Sequence, residues 1–323
     1  MRSNIFSRKA NKRYRIIYIL LAIAIVSVFI VQVVLNKKNS TEKSKSFSIN
    51  NENEKINESK QEDIYGKNKK NHEDIVNEEK KEEPVEEVTA LKKGSNTSIE
   101  GDAYTFNSSE VKRILDGSYI KDGKKIAFLT FDDGPSVVTT PKILATLKKY
   151  NIKATFFILG INLDNYPKSK ELLKAILHDG HAIANHSYSH DYKYLYPGGR
   201  INTDNLIADF EKNENKIKEV LGADFKTSVV RLPGGMMSWK NKDNAKQALS
   251  NKGLNYVDWN SLDGDAEGRN ETPQQLLKKA KSTIQGQEKI ILLMHDTKNN
   301  TVKALPSIIQ YLKDQGYEFK TLK

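Results

Sequence analysis

The 323-residue chain has no cysteine. This removes disulfide frameworks, thiolate nucleophiles and cysteine-ligated zinc together. Strong metal ligands are then confined to His, Asp and Glu, and histidine is itself scarce, with six in the chain. Apolar residues are also few, 37% of the total with a mean hydropathy of -0.62, so a sizeable part of the chain is expected to stay outside any core. Acidic residues are outnumbered 52 to 41, for a formal net charge of +11. That sign favours acidic polymers or anionic surfaces as neighbours. From residue 119 onward there are 31 Lys plus Arg against 23 Asp plus Glu, yet no basic strip interleaved with aromatics stands out. Nucleic acid is therefore not the expected partner, and an anionic wall suits the charge equally well.

Residues 1–15 lack any acid and carry Arg2, Arg8, Lys9, Lys12, Arg13 and Arg15, while Ile16 to Leu35 lack any charge. Twenty apolar-dominated residues suffice to span a bilayer, and the basic flank places the N-terminal side in the cytoplasm. Gln32-Val33-Val34-Leu35-Asn36 offers no small-x-small cleavage site, so residues 16–35 read as an uncleaved single-pass anchor in the cell membrane, with everything beyond it extracytoplasmic. Residues 36–96 are Lys, Glu, Asn and Ser without a period of 3.6 or 2 and without heptads, as expected of a disordered tether. About 60 such residues have an r.m.s. reach on the order of 45 Å and extend to roughly 200 Å. Residues 97–118 form a lead-in, with a short helix over Asn107 to Gly117 capped by Ser108 or Ser109.

From Lys125 onward short apolar runs alternate with amphipathic segments. Strands are expected at Ile126 to Phe131, Ala154 to Ile158, Ala182 to Ala184, Ser228 to Arg231, Asn255 to Val257, Ile290 to Met294 and Tyr317 to Lys320. Helices are expected near Thr140 to Tyr150, Ser169 to Asp179, Asn202 to Leu221, Lys240 to Asn251, Pro273 to Gln285 and Val302 to Gln315. This alternation predicts a parallel α/β domain over 119–323, most simply a (β/α) barrel or a distorted one, with its chemistry at the strand C-terminal ends.

The residues after the strands fit that expectation. Phe128-Leu129-Thr130-Phe131 runs into Asp132-Asp133-Gly134-Pro135, and two adjacent carboxylates brought into a site need a cation or a proton between them. His186 and His190 follow the third strand at a spacing that a helical turn would put on one face, and His295 follows the sixth. Two imidazoles and one carboxylate around a divalent ion leave an open position, the arrangement of a catalytic centre. A second carboxylate nearby can then take a proton from water. On spacing alone, Asp258, Asp263 or Asp265 could partner His295. His178 and His181 flank the Asp179-Gly180 turn and read as surface or supporting groups, and Ser187 as a hydroxyl that fixes the loop.

The segments TFDDGP, HSYSH, RLPGG, DWNSLDGDA and LLMHD, in this order, resemble the polysaccharide deacetylases of the NodB homology family, over about residues 120–323. The resemblance implies a metal held by Asp133, His186 and His190, most simply Zn(II), with Co(II) or Ni(II) as alternatives. It implies Asp132 as general base oriented by Arg231, His295 as general acid tuned by Asp265, and the Gly234 N–H as an oxyanion donor. Where the family often has an aromatic after the proline of the third segment this chain has Gly234, and where it often has Trp in the fourth this chain has Ala266. The groove wall is therefore open to replacement, with Leu293 and Trp239 as candidate surfaces and Met236 and Met237 beside Trp239. The implied reaction is hydrolysis of N-acetyl groups on an extracellular glycan, peptidoglycan N-acetylglucosamine first. N-acetylmuramic acid, poly-N-acetylglucosamine, chitooligosaccharides, or a wall-binding module without catalysis are the alternatives. Adjacent Asp132 and Asp133 do not suit a glycosidase, whose carboxyl pair flanks the scissile bond.

Overall fold

The computed structural model describes residues 90–268 and 271–323. The basic segment, the apolar stretch 16–35 and the linker up to residue 89 lie outside the described residues. Among the described residues no helix is long and apolar enough to cross a membrane.

In chain order the strands are β1 (Thr105–Phe106), β2 (Ile126–Gly134), β3 (Thr155–Ile158), β4 (Ala182–Asn185), β5 (Val229–Val230), β6 (Asn255–Tyr256), β7 (Ser261–Leu262), β8 (Lys289–His295), β9 (Glu318–Phe319) and β10 (Thr321–Leu322). The helices are α1 (Ser108–Leu115), α2 (Thr140–Tyr150), α3 (Gly160–Asn165), α4 (Pro167–His178), α5 (Tyr192–Leu195), α6 (Thr203–Leu221), α7 (Lys242–Asn251), α8 (Pro273–Ile284) and α9 (Asn299–Asp314). The main sheet is parallel throughout, in the order β6-β5-β4-β3-β2-β8-β7, with β9 also pairing to β2. Neighbours thus follow the chain around a curled sheet that stays open between β6 and β7. Only Val257–Asn260 crosses that opening, without a helix, so the barrel is a distorted, incomplete one.

β2 shows why the sheet curls around a site. Its inward residues Ile126 and Phe128 pack with Phe157, Ala184, Val229, Val257 and Ile291 inside the curl. Its outward residues Ala127, Leu129 and Phe131 pack with Ile143, Leu147, Ile176 and Leu305 of the helical layer. Both faces are buried, so the strand reads as a continuous apolar run. Period-2 alternation then puts Thr130 and Asp132 on the inner face, after Phe128.

The structure departs from the sequence reading in several places. β1, β7 and β10 have two residues each, and α3 and α5 six and four, too short for a period to register. α1 is capped by Asn107, whose Oδ1 accepts the Ser109 N–H at 2.9 Å, one residue before the expected serines. Residues 90–96, assigned to the tether, pack on the folded unit. Asn96 Nδ2 donates to Leu322 O (2.9 Å), Asn96 O accepts the Ile183 N–H (2.8 Å) and Ser95 O accepts the Lys226 N–H (3.1 Å). These attachments run through polar groups, the Asn96 amide and main-chain N–H and C=O, so hydropathy carries no trace of them.

Candidate active site

Simple alternation would send Asp132 and Asp133 to opposite faces of β2. Between Phe131 and Gly134 the register against β3 slips by one residue, and Asp133 takes a left-handed backbone with φ of 70°. That bulge re-aims the second carboxylate, so both acids serve one site. Asp133 Oδ1 lies 3.5 Å from His186 Nε2 and 3.5 Å from His190 Nε2, and Asp132 Oδ2 lies 3.6 Å from His186 Nε2.

The two histidines sit on a loop rather than on the helical turn expected from their spacing. Ser187 and His190 have φ of 93° and 52°, so the loop doubles back and brings the rings to 5.3 Å between centroids. A buried carboxylate on α6 holds this conformation: Asp209 Oδ2 accepts the Ser187 hydroxyl, the Tyr188 N–H (2.7 Å) and the Ser189 N–H (3.3 Å). Ser187 Oγ in turn accepts the His190 N–H at 2.9 Å. His186 is fully buried, which pulls its pKa down to about 3 and keeps it neutral. Its Nδ1–H donates to Arg231 O at 2.9 Å, leaving the Nε2 lone pair facing Asp133.

Arg231, just past β5, has no exposed surface and reaches inside the curl to the segment after β6 and to β2. Its Nε donates to Val257 O (2.8 Å) and its NH2 to Asp258 O (3.2 Å), carbonyls that a neighbouring strand would otherwise satisfy. Its NH1 reaches Asp132 Oδ1 (2.8 Å) and Thr130 Oγ1 (2.9 Å), and the guanidinium lies 4.0 Å from the Phe157 ring centroid. Burial pushes Asp132 above the usual carboxylate range, and the charges of Arg231 and His295 pull against that rise.

His295 ends β8, directly opposite Asp132 in the register. Asp265 Oδ1 meets its Nδ1 at 2.6 Å, and Asp265 Oδ2 accepts its backbone N–H at 2.7 Å. Burial works against the imidazolium, but the hydrogen bond and charge of Asp265 prevail and raise it to about 9. Of the three acids open on spacing, Asp265 is thus the partner. Asp258 instead accepts the Met236 N–H (3.0 Å), and Asp263 is buried beneath Asp265.

These groups surround one cleft of about 340 Å³, lined by Asp132, Asp133, His186, His190, Gly234, Asp265, Leu293 and His295, with Tyr192, Trp259 and Ala266. Trp239 does not line it. That ring stacks on Tyr196 at 4.0 Å and stands behind Gly234, where a Cβ would come within 3.1 Å of the indole. Met236 is buried and Met237 is 72% exposed. The aromatic walls are Tyr192 and Trp259, which the sequence reading passed over. Trp259 stands inside the fourth segment and Tyr192 two residues past His190, so position was the available signal. His181 is no surface group: it is buried, its Nδ1 accepts the Ala154 N–H at 3.1 Å, and burial lowers it to about 3. His178 is part-exposed beside Asp179.

The donor set fits a divalent ion. One carboxylate oxygen and two imidazole nitrogens lie within 4.8 Å of one another, and Asp133 Oδ1 is buried without a hydrogen-bond partner, an arrangement costly unless a cation is shared.

Comparison with known proteins agrees with this geometry. The sequence profile of the polysaccharide deacetylase family matches residues 119–257. A peptidoglycan-N-acetylglucosamine deacetylase of Bacillus cereus is 32% identical over 206 residues, covering 61% of this chain and 69% of that protein. The Listeria monocytogenes peptidoglycan-N-acetylglucosamine deacetylase PgdA is 32% identical over 202 residues, 62% of this chain, which spans 39% of that longer protein. The solved structure of a Streptococcus mutans CE4 esterase superimposes with a TM-score of 0.67 at 36% identity, over 73% of this chain and 99% of that one. Likeness in sequence and in fold point the same way, and the chain belongs to the polysaccharide deacetylase family of hydrolytic enzymes.

Proposed function

We propose that this protein is a membrane-anchored, metal-dependent deacetylase that hydrolyses the N-acetyl group of peptidoglycan N-acetylglucosamine on the outer side of the membrane. The observation that carries the metal dependence is Asp133 Oδ1, buried between two imidazole Nε2 atoms with no donor of its own. A zinc ion held by Asp133, His186 and His190 would supply Lewis-acid polarisation of the acetyl carbonyl and a more acidic water. The remaining work falls to the protein's own groups. Asp132, oriented by Arg231, takes the proton of the attacking water as the new C–O bond forms. The Gly234 N–H at the cleft wall receives the developing oxyanion. His295 protonates the amide nitrogen as the C–N bond breaks, releasing acetate and a glucosamine amine. The named activities of the relatives in Bacillus and Listeria support peptidoglycan as the substrate. The uncharged run 16–35 and the polar linker support an anchor and a tether reaching into the wall.

The direct test is acetate release from purified peptidoglycan by the 323-residue chain, before and after chelation and after zinc is restored. Release that chelation abolishes and zinc recovers supports the reading. Release from chitooligosaccharides alone keeps the chemistry and moves the substrate. Silence on every glycan, with metal bound, makes the chain a wall-binding module.

A further inference from the structure

Behind His295 the structure places more acid than the reaction uses. Thr301, in the first turn of α9, is fully buried with its hydroxyl between two carboxylates. Thr301 Oγ1 lies 2.8 Å from Asp265 Oδ2 and 3.2 Å from Asp263 Oδ2. Asp263 is itself fully buried, and its Oδ1 accepts the Asp265 N–H at 3.1 Å. A hydroxyl has one hydrogen to give, and an ionised carboxylate has none. With both acids charged, one of the two oxygen contacts would have no hydrogen in it and would repel, in a place water does not reach.

The contacts decide where the extra proton lies. Apart from the hydroxyl they share, which lies nearer Asp265, Asp265 receives two donors among the described residues, the Nδ1–H and backbone N–H of His295, against one for Asp263, the Asp265 N–H, so Asp265 carries the charge. We propose that Asp263 is a neutral carboxylic acid at working pH, donating its proton to Thr301, and that Asp263 and Thr301 are positioning residues for the Asp265–His295 pair. The chain then reads Asp263 O–H to Thr301 Oγ, Thr301 O–H to Asp265, and His295 Nδ1–H to Asp265. Burial and the neighbouring Asp265 hold Asp263 well above the usual carboxylate range, consistent with that count. Among the described residues, the other charged groups around the pair are Asp132 and Asp133 facing His295, Lys298 on the cleft wall, Glu271 in the adjoining cavity that Asp265 also lines, and the Lys279–Glu267 ion pair over Gly264.

The consequence concerns the general acid. One charged partner raises His295 enough to hold its proton, whereas a second buried charge would bind that proton too tightly for release to an amine. This last step rests on the deacetylase reading, but the proton count does not. The test is therefore the titration of His295, followed by NMR on the zinc-loaded 323-residue chain without substrate. Asn matches a neutral Asp, with an oxygen for the Asp265 N–H and an amide donor for Thr301. Asp263→Asn should leave the His295 midpoint in place. A fall of about one unit or more would mean that a charge was removed, and would overturn the proposal. Thr301→Val strips a donor from the carboxylate that grips His295, so the midpoint should rise by about half a unit, less than a full charge would give, and Thr301→Ser should restore it. A midpoint that ignores Thr301→Val also overturns the proposal, and that pair decides alone should Asp263→Asn fail to fold. An unsubstituted chain that shows these shifts between variants but releases no acetate would count against the deacetylase reading instead.

Discussion

At the scale of single residues the site depends on charges that are buried only because they are shared. Arg231 is enclosed by two carbonyls, a hydroxyl and Asp132, so Asp132→Asn removes the one negative partner of a buried guanidinium. If Asp132 is the general base, as proposed, that variant loses at least about 100-fold in acetate release. It should also unfold more easily, by about 3 kcal/mol in a denaturant titration, because a buried charge is left unpaired. His295 gives the pH dependence. Its folded pKa of about 9 lies above the ordinary 6.5, so its pairing with Asp265 stabilises the fold fully below about pH 6.5 and is lost as pH rises through about 9. The acid form that the proposed reaction needs disappears over the same upper range. A cation on Asp133 offsets one of the carboxylates that raise His295, so the basic limb of kcat/KM should fall at or below about pH 9.

At the scale of elements, the precision of the site comes from irregularities placed against rigid neighbours. The β2 bulge turns Asp133, and α6 holds the histidine loop through Asp209 while Asn213 donates to Ile158 O and Asn185 Oδ1, both at 2.7 Å. Asp209 touches neither ligand ring, so its effect runs through Ser187 and the loop amides. Asp209→Ala should therefore weaken metal binding by about 10- to 100-fold, measured by competition with a chelator, while kcat at saturating zinc changes far less. A variant that binds zinc normally would show that the loop holds itself.

At the scale of the molecule, the curled sheet stays open between β6 and β7, and Arg231 ties the segment that joins those strands to Asp132 on β2. The N-terminal approach to the fold has a similar economy. Leu91 bridges Ser98, and Asn96 ties to both Leu322 and Ile183. A chain beginning at residue 97 should consequently melt several degrees below one beginning at residue 90, since it loses buried hydrogen bonds of about 1 kcal/mol each. Equal melting temperatures would show that the segment adds nothing.

The sequence by itself determined the strand and helix alternation, because β2, β3, β4 and β8 are buried runs whose composition is set by contact on both faces. It also set the chemical inventory: with no cysteine, metal ligands were confined to His, Asp and Glu, His186 and His190 stood just past one strand, and the resemblance singled out Asp133 over Asp132 as their third partner. Spacing left Asp258, Asp263 and Asp265 open as the partner of His295 and the resemblance pointed to Asp265; the contact itself is decided by the tertiary structure, since all three acids fall within one short stretch of chain. The same holds for Asp209, Tyr192, Trp259 and Thr301, whose roles depend on elements distant in the chain. Local pattern records which face a residue takes; it holds no record of what will stand opposite that face once the sheet has curled.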